Sequence, residues 1–168
     1  AMMRGRFGKW TEAARLYEAT DSVLALCGAE AWTERMRVRY ILAGALYQSG
    51  DYTGSLRLYS ERFDWCRKVY GEVSDMTMQA LCNLANMKAV VGDIEGGSRD
   101  YMEVERRLTS RIAERLRFLP GEARGACLSE MLDIAFRMSA FGIKAGHECD
   151  AFTESSWDAL LMAKGLLL

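Results

Sequence analysis

The amino-acid sequence predicts an all-α protein built from a repeated pair of helices. Glycine, arginine and tyrosine each recur at intervals of 42 positions, at Gly8, Gly50 and Gly92, at Arg15, Arg57 and Arg99, and at Tyr17, Tyr59 and Tyr101. The chain contains one proline and is rich in Ala, Leu, Met, Glu and Arg, which favour helices. Because an internal repeat of this length is typical of helical solenoids, we expect a solenoid.

Composition narrows the class of protein further. The 168 residues carry a net charge of −1, so no overall basic field is available to attract nucleic acid or an anionic membrane. No apolar run is long enough to span a membrane. The five cysteines are odd in number and form no C-x-x-C pair, which favours reduced thiols and a cytoplasmic location.

The helices are predicted from apolar residues that step by four and three positions. The stripe in 51–70 consists of Tyr52, Leu56, Tyr59, Phe63, Cys66 and Tyr70. The stripe in 73–91 consists of Val73, Thr77, Ala80, Leu84, Met87 and Val91. Both follow the period of an α-helix. On the outer surface, Arg57 is expected to pair with Glu61, and Arg99 with Glu103.

The turns between helices carry their own signals. Gly50 and Gly92 stand where a helix would end with a positive φ angle, and Asp51 and Asp93 follow as N-caps. Small residues recur at two repeat positions, Ala13, Ser55 and Gly97 at one and Ala43 and Ala85 at the other. They predict close packing between two antiparallel helices in each unit, with the repeated tyrosine filling the adjacent space.

The resulting map has seven helices, at about 9–27, 31–49, 51–70, 73–91, 93–118, 121–145 and 152–168. The repeats occupy 1–119, as units 8–49 and 50–91 and a partial unit 92–119. Leu119-Pro120-Gly121 interrupts the pattern. Residues 120–168 are therefore predicted to form an irregular C-terminal helix pair that caps the stack.

The repeat resembles the tetratricopeptide repeat (TPR). The resemblance rests on Gly-Asp-Tyr, a small residue and a later Tyr, and on Leu81-Cys82-Asn83-Leu84-Ala85 between Gly71-Glu72 and Gly92-Asp93. The repeat is similar to the 42-residue version of the TPR found in kinesin light chains. HEAT and armadillo repeats have comparable length but are not expected to carry Gly-Asp-Tyr at the inner turn. The resemblance implies a right-handed superhelix whose concave groove is lined by the first helix of each pair.

The resemblance assigns the groove to 31–49 and 73–91. The residues predicted to face it are Arg37, Tyr40, Tyr47, Gln48, Gln79, Asn83 and Asn86. Aromatic, arginine and amide side chains suit recognition of a peptide or protein. Asn83 matches an asparagine of the family that resembles a peptide clamp, although it could equally hydrogen-bond a neighbouring turn.

A second resemblance concerns residues 157–168. Their Lys164-Gly165-Leu166-Leu167-Leu168 ending looks like the segment after the repeats in bacterial TPR proteins with a CHAT domain, a caspase-like protease. It implies that the chain is the regulatory arm of such a protease, cut from a longer protein. The alternative is a self-assembly element that forms homo-oligomers.

Catalytic and metal chemistry find little support in the sequence. The single histidine lies in Gly146-His147-Glu148-Cys149-Asp150. The sequence offers no second cluster of ligands to complete a metal site there. A catalytic Cys–His dyad would need the two side chains on separate, rigid segments of the chain that face each other. We therefore expect no cofactor and no enzyme activity. The run 106–117 holds five arginines and one acid. It predicts a solvated basic face, with contact to an acidic partner or RNA as the alternative.

Overall fold

The computed structural model describes residues 2–116, 118, 129, 132–133 and 136–142, and it describes the side chains of residues 8–111, 114, 118, 129, 132–133 and 136–142. The helices are α1 (Met2–Leu26), α2 (Trp32–Ser49), α3 (Tyr52–Tyr70), α4 (Asp75–Val90) and α5 (Ile94–Leu116), with a short 3-10 helix at Ala29–Ala31 before α2. Residues 132–133 and 136–142 are also helical. No strand occurs among the described residues, so the prediction of an all-α chain is confirmed there.

The chain divides into two compact units, Ala1–Gly71 and Glu72–Leu168. In the first unit, α1 packs against α2, and α2 packs against α3. In the second unit, α4 packs against α5. The predicted helix 152–168 and the residues around the predicted boundary at 119–120 lie outside the described residues, so the division into 1–119 and 120–168 stays a prediction.

The predicted Gly-Asp turns are confirmed. Gly50 ends α2 with a φ of 90°, and the Asp51 carboxylate accepts a hydrogen bond of 2.9 Å from the Gly54 amide. Gly92 has a φ of 95°, and Asp93 accepts the same bond from the Gly96 amide, also at 2.9 Å. Each glycine takes a conformation that a Cβ disfavours, and each aspartate satisfies an amide at a helix start.

The first repeat departs from this pattern at Gly8. The prediction places a helix start at about residue 9, but α1 runs through Gly8 from Met2, and the φ of Gly8 is not positive. No Asp follows Gly8 as a cap, since Lys9 stands in that position. Without the cap, the local signal that ends one helix and begins the next is missing.

The predicted small residues make the close contacts of the repeat. In the first unit, the buried Ser55 hydroxyl donates a hydrogen bond of 2.8 Å to the Ala43 carbonyl, which joins α3 to α2. In the second unit, a Cβ built on Gly97 would lie 2.7 Å from the Ala85 carbonyl oxygen. The same two positions thus meet in both units, shifted by 42 residues.

The repeated tyrosines pack into or against the core of each unit. Tyr17 and Tyr59 pack, half-buried, against the core of the first unit, which consists of Ala14, Leu42, Ala43, Ala45, Leu46 and Leu58. Tyr101 is 1% exposed in the second unit, and its ring centroid lies 4.9 Å from that of Phe141 in the helical segment 136–142. The role predicted for the repeated tyrosine is therefore confirmed.

The surface pairs follow the prediction only in part. Arg57 and Glu61 form the expected ion pair at 3.0 Å. The predicted pair of Arg99 with Glu103 is wrong, because Arg99 lies 3.7 Å from Glu95 and Glu103 binds arginines further along α5. A glutamate with several arginines in reach takes those with the best geometry, which spacing alone does not specify.

Candidate partner-binding surface

Helix α2 presents one exposed face on the first unit. Its buried side chains, which point toward α1 and α3, are Met36, Val38, Leu42, Ala43, Ala45 and Leu46. The opposite side, here called the α2 face, consists of Arg37, Tyr40, Ile41, Gly44, Tyr47 and Gln48. Arg37, Ile41, Gly44 and Gln48 step by four, three and four positions along its centre, so they share one side of the helix.

The centre of the α2 face is open. A Cβ placed on Gly44 would meet nothing within 4 Å, whereas one placed on Gly97 would meet backbone and a ring. Ile41 and Tyr47 are each 39% exposed beside it. The glycine leaves a flat stretch of backbone between an aliphatic and an aromatic side chain, which is a shape that a peptide or helix can approach closely.

Aromatic pairs hold the tyrosines of the α2 face in place. The Tyr47 ring centroid lies 5.7 Å from that of Tyr52, the first residue of α3. The Tyr40 ring meets Tyr59 of α3 edge-on at 6.0 Å, and the Arg62 guanidinium carbon lies 4.2 Å above the Tyr40 ring. Ordered aromatic side chains lose little entropy on binding, which favours their use as anchors.

An ionic network ties α2 to both neighbouring helices. Arg35 forms an ion pair of 2.9 Å with Asp21 of α1. Arg39 lies between Asp21, at 3.7 Å, and Glu61 of α3, with which it also forms an ion pair. The side chains of Arg35, Arg39 and Asp21 are each less than a quarter exposed. Partly buried, connected pairs of this kind orient helices more firmly than isolated surface pairs.

The predicted residues on α4 have more mixed environments. Gln79, Asn83 and Asn86 share one side of the helix by their spacing, and Gln79 is exposed. Asn86 hydrogen-bonds the Tyr101 hydroxyl, whose pKa burial raises above its usual range. The Asn83 Nδ2 is buried without a hydrogen-bond partner. The Asn86 side chain therefore contacts a residue of its own unit. The shared groove of Gln79, Asn83 and Asn86 with the α2 face stays a prediction.

A cleft in the second unit was not predicted from the sequence. It measures about 340 Å³ and is lined by Asp75, Met76, Met78, Gln79, Cys82, Leu108, Asp133 and Arg137. Burial raises the pKa of the Cys82 thiol to about 11, so the thiol at its base stays protonated and weakly nucleophilic at neutral pH. The lining residues come from three separate helical segments, and no sequence motif predicts that these segments form a cleft.

The arginines of α5 bind acids within the same unit. Arg107 pairs with Glu103 and with Glu72, both at 2.6 Å, and Arg111 pairs with Asp75. Hydrogen bonds from Arg106 and Arg107 lower the pKa of Glu103 to about 2. The prediction of a solvated basic face is wrong for Arg107 and Arg111, whose side chains are 16% and 18% exposed. These ion pairs join α5 to Glu72, which precedes α4, and to Asp75, the first residue of α4.

Metal-ligand clusters and membrane-spanning helices are both missing from the described part of the chain. There, no three His, Cys, Asp or Glu side chains come together in a way that could hold a metal ion. The sequence around His147 and Cys149 lies outside the described residues. None of the described helices combines the length and apolar character required to cross a membrane.

Comparison with known proteins gives no family. No family model, no curated protein and no solved structure matches the chain.

Proposed function

We propose that the chain is a non-catalytic scaffold that binds a peptide or protein partner, and that the α2 face is its main binding surface. The observation that carries the proposal is the open stretch over Gly44 between the exposed side chains of Ile41 and Tyr47. Interfaces concentrate their binding energy in a few aromatic and arginine side chains held in well-packed positions. Tyr40, Tyr47 and Arg37 supply such side chains on one side of one helix.

The architecture we propose is a right-handed solenoid of antiparallel helix pairs of the TPR type. It is supported by the 42-residue register, in which Ser55 contacts Ala43 as Gly97 adjoins Ala85. The 42-residue period also allows pairs of α2 with α3 and of α4 with α5, and in such a solenoid α2 and α4 are the first helices of their pairs.

Substitution of Gly44 by glutamine is expected to weaken partner binding at least about tenfold, or about 1.4 kcal/mol. The added side chain would stand in the open space over the helix and obstruct the surface without a clash in the fold. A displayed library of random linear peptides is selected on the wild-type chain, and the dissociation constants of the selected peptides are measured by fluorescence anisotropy.

Gly8→Gln is the matched control, because Gly8 also lies within a helix and a Cβ there would meet nothing within 4 Å. Selected peptides should bind this variant as they bind the wild-type chain. Equal binding by Gly44→Gln and Gly8→Gln would show that the peptides dock elsewhere. Failure to select any peptide would remove the proposal itself.

We further propose that this scaffold regulates a caspase-like CHAT protease in the cytoplasm. The support is the resemblance of residues 157–168, which end in Lys164-Gly165-Leu166-Leu167-Leu168. The test is the coding sequence downstream of Leu168. An α/β domain with one histidine and one cysteine at the ends of successive strands would support the assignment, and an unrelated continuation would remove it.

Self-assembly is the second candidate function, and α1 favours it. Leu16, Val23 and Leu26 lie along one side of α1 and are 64%, 61% and 88% exposed. An apolar stripe of this kind is typical of an interaction surface. A second copy of the chain could cover the stripe with its own α1, in an isologous contact.

The double variant Leu16→Glu/Val23→Glu is expected to abolish concentration-dependent association in sedimentation velocity. Two carboxylates opposite their symmetry mates would disfavour the contact through repulsion and desolvation. Val69→Glu is the control, since Val69 is 53% exposed and lies on a different helix, α3. A wild-type chain that sediments as a monomer up to high concentration would eliminate this candidate.

A further inference from the structure

The cleft of the second unit is an open space with an exposed mouth and a buried base. Met76 and Gln79 lie at the mouth, where Met76 is 39% exposed. Met78, Cys82 and Leu108 lie at the base, and each of them is buried. The volume of about 340 Å³ lies at the lower end of the range of small-molecule sites. It is far larger than the gaps that remain in a well-packed core, so the cleft can admit a ligand.

Contacts between the helical segments hold the walls of the cleft in place. Arg111 of α5 forms an ion pair with Asp75, the first residue of α4. Tyr101 of α5 packs against Phe141 of the helical segment 136–142, with a ring-centroid distance of 4.9 Å. Walls that are ordered before a ligand arrives reduce the entropy that is lost on binding. The cleft is therefore preorganised for a ligand of matching shape.

The charged groups around the cleft neutralise one another. The Asp75 carboxylate is paired with Arg111, and the Asp133 carboxylate is paired with Arg137 at 2.9 Å. Burial raises the pKa of the Cys82 thiol to about 11, so the thiol is uncharged at neutral pH. A charged ligand would lose hydration in the cleft and would have to compete for carboxylates and guanidinium groups that already have partners. The described lining therefore favours a neutral ligand.

Sulfur atoms give the cleft a preference for aromatic ligands. Three of the eight described lining residues, Met76, Met78 and Cys82, carry sulfur. Thioether sulfur is polarisable and makes favourable contacts with aromatic rings. Leu108 adds an aliphatic surface against which a flat ring also packs. The lining therefore favours a flat aromatic ring over a saturated ring of the same size.

A polar side chain at the mouth can orient such a ring. Gln79 is exposed and lines the cleft, and its amide offers both hydrogen-bond donors and an acceptor. Small-molecule sites combine an apolar lining with a few polar groups that fix the orientation of the ligand. An N–H or O–H group on the ring would donate to the Gln79 amide oxygen while the ring lies toward Met78 and Cys82.

We propose that the cleft is a binding site for a small, neutral aromatic molecule that carries one hydrogen-bonding group. The site is formed within the second unit by α4, α5 and the helical residues 133 and 137. It shares no residue with the α2 face of the first unit. The chain would thus bind a small molecule in addition to the peptide or protein proposed above.

The test follows the methyl groups of Met76 and Met78 in the wild-type chain by two-dimensional ¹H–¹³C NMR, with methionine labelled at the methyl carbon. Each resonance is assigned by its loss in Met76→Leu or Met78→Leu. Three probes share one ring system and differ in charge, namely neutral indole, anionic indole-3-acetate and cationic tryptamine. The expected result is a saturable shift of both methyl resonances with indole, at a dissociation constant at least about tenfold lower than for either charged probe. Cyclohexanol, a neutral probe without an aromatic ring, should also bind more weakly than indole.

A lysine placed at the mouth provides the second measurement, with the Met78 methyl group as reporter. Met76→Lys brings a charge to the cleft and should weaken indole binding at least about tenfold. Val90→Lys is the matched control, since Val90 is 42% exposed on the same helix. It lies about 21 Å along α4 from Met76, at a rise of about 1.5 Å per residue. This variant should bind indole as the wild-type chain does.

Each contrary outcome overturns a defined part of the inference. The absence of a saturable shift up to the solubility limit of indole would remove the site. Equal affinities for indole and its charged analogues would contradict the selection of a neutral ligand, and equal affinities for indole and cyclohexanol would contradict the selection of an aromatic one. Unchanged indole binding by Met76→Lys would place the ligand elsewhere. None of these results depends on the selection of a peptide, so the inference and the proposed function fail independently.

Discussion

Replacement of Tyr101 by alanine is expected to lower the free energy of unfolding by about 3–5 kcal/mol, the usual range for large aromatic side chains in a core. Tyr101 is 1% exposed, and its ring packs against Phe141 with a centroid distance of 4.9 Å. Truncation would leave a cavity between α5 and the helical segment 136–142 and would leave Asn86 without its hydroxyl partner. Urea unfolding followed by circular dichroism measures the loss.

Two controls separate the causes of that loss. Tyr101→Phe keeps the ring and should cost only about 0.5–1.5 kcal/mol, the contribution of one hydrogen bond. Tyr17→Ala occupies the same repeat position but starts from a half-buried side chain, so it should cost clearly less than Tyr101→Ala. Equal losses at the two tyrosines would contradict the packing described for the second unit.

Replacement of Gly97 by valine is expected to lower the free energy of unfolding by about 3 kcal/mol, at the upper end for overpacking. A Cβ at this position would lie 2.7 Å from the Ala85 carbonyl oxygen and 2.8 Å from the Phe141 Cζ. Relief would require α5 to move away from α4. The measurement is again urea unfolding, with near-ultraviolet circular dichroism to report the packing of aromatic side chains.

Gly44→Ala is the matched control for this effect. Gly44 lies in the interior of α2 with open space above it, so alanine should raise the free energy of unfolding by about 0.5–1 kcal/mol through helix propensity. Opposite signs at the two glycines are the expected result. A neutral or stabilising Gly97→Val would mean that Gly97 is not a site of close helix approach.

The Gly97 contact of the second unit has a counterpart in the first unit. The contact of Gly97 with the Ala85 region places α5 against α4, as the Ser55–Ala43 hydrogen bond places α3 against α2. Each contact positions the first helix of a proposed pair, and α2 presents the α2 face.

Helical spacing predicts part of the proposed α2 face. Arg37, Tyr40, Tyr47 and Gln48 were predicted from helical spacing, and α2 does place them on one face. Ile41 and Gly44 share that spacing and were overlooked. Arg62 aligns with Val104 at a 42-residue interval, and a charged residue in the register of an aliphatic one is a signal visible without coordinates.

Helices α2 to α5 and the Gly-Asp turns at residues 50 and 92 are predictable from the sequence, because periodicity, capping and positive φ angles act over a few neighbouring residues. The ion pairs of Arg107 with Glu72 and of Arg111 with Asp75 and the burial of Arg62 against Tyr40 follow only from the packing of the helices. Those outcomes depend on which side chains come within a few ångströms across different helices. Distances of that kind arise from packing, and spacing along one helix does not encode them.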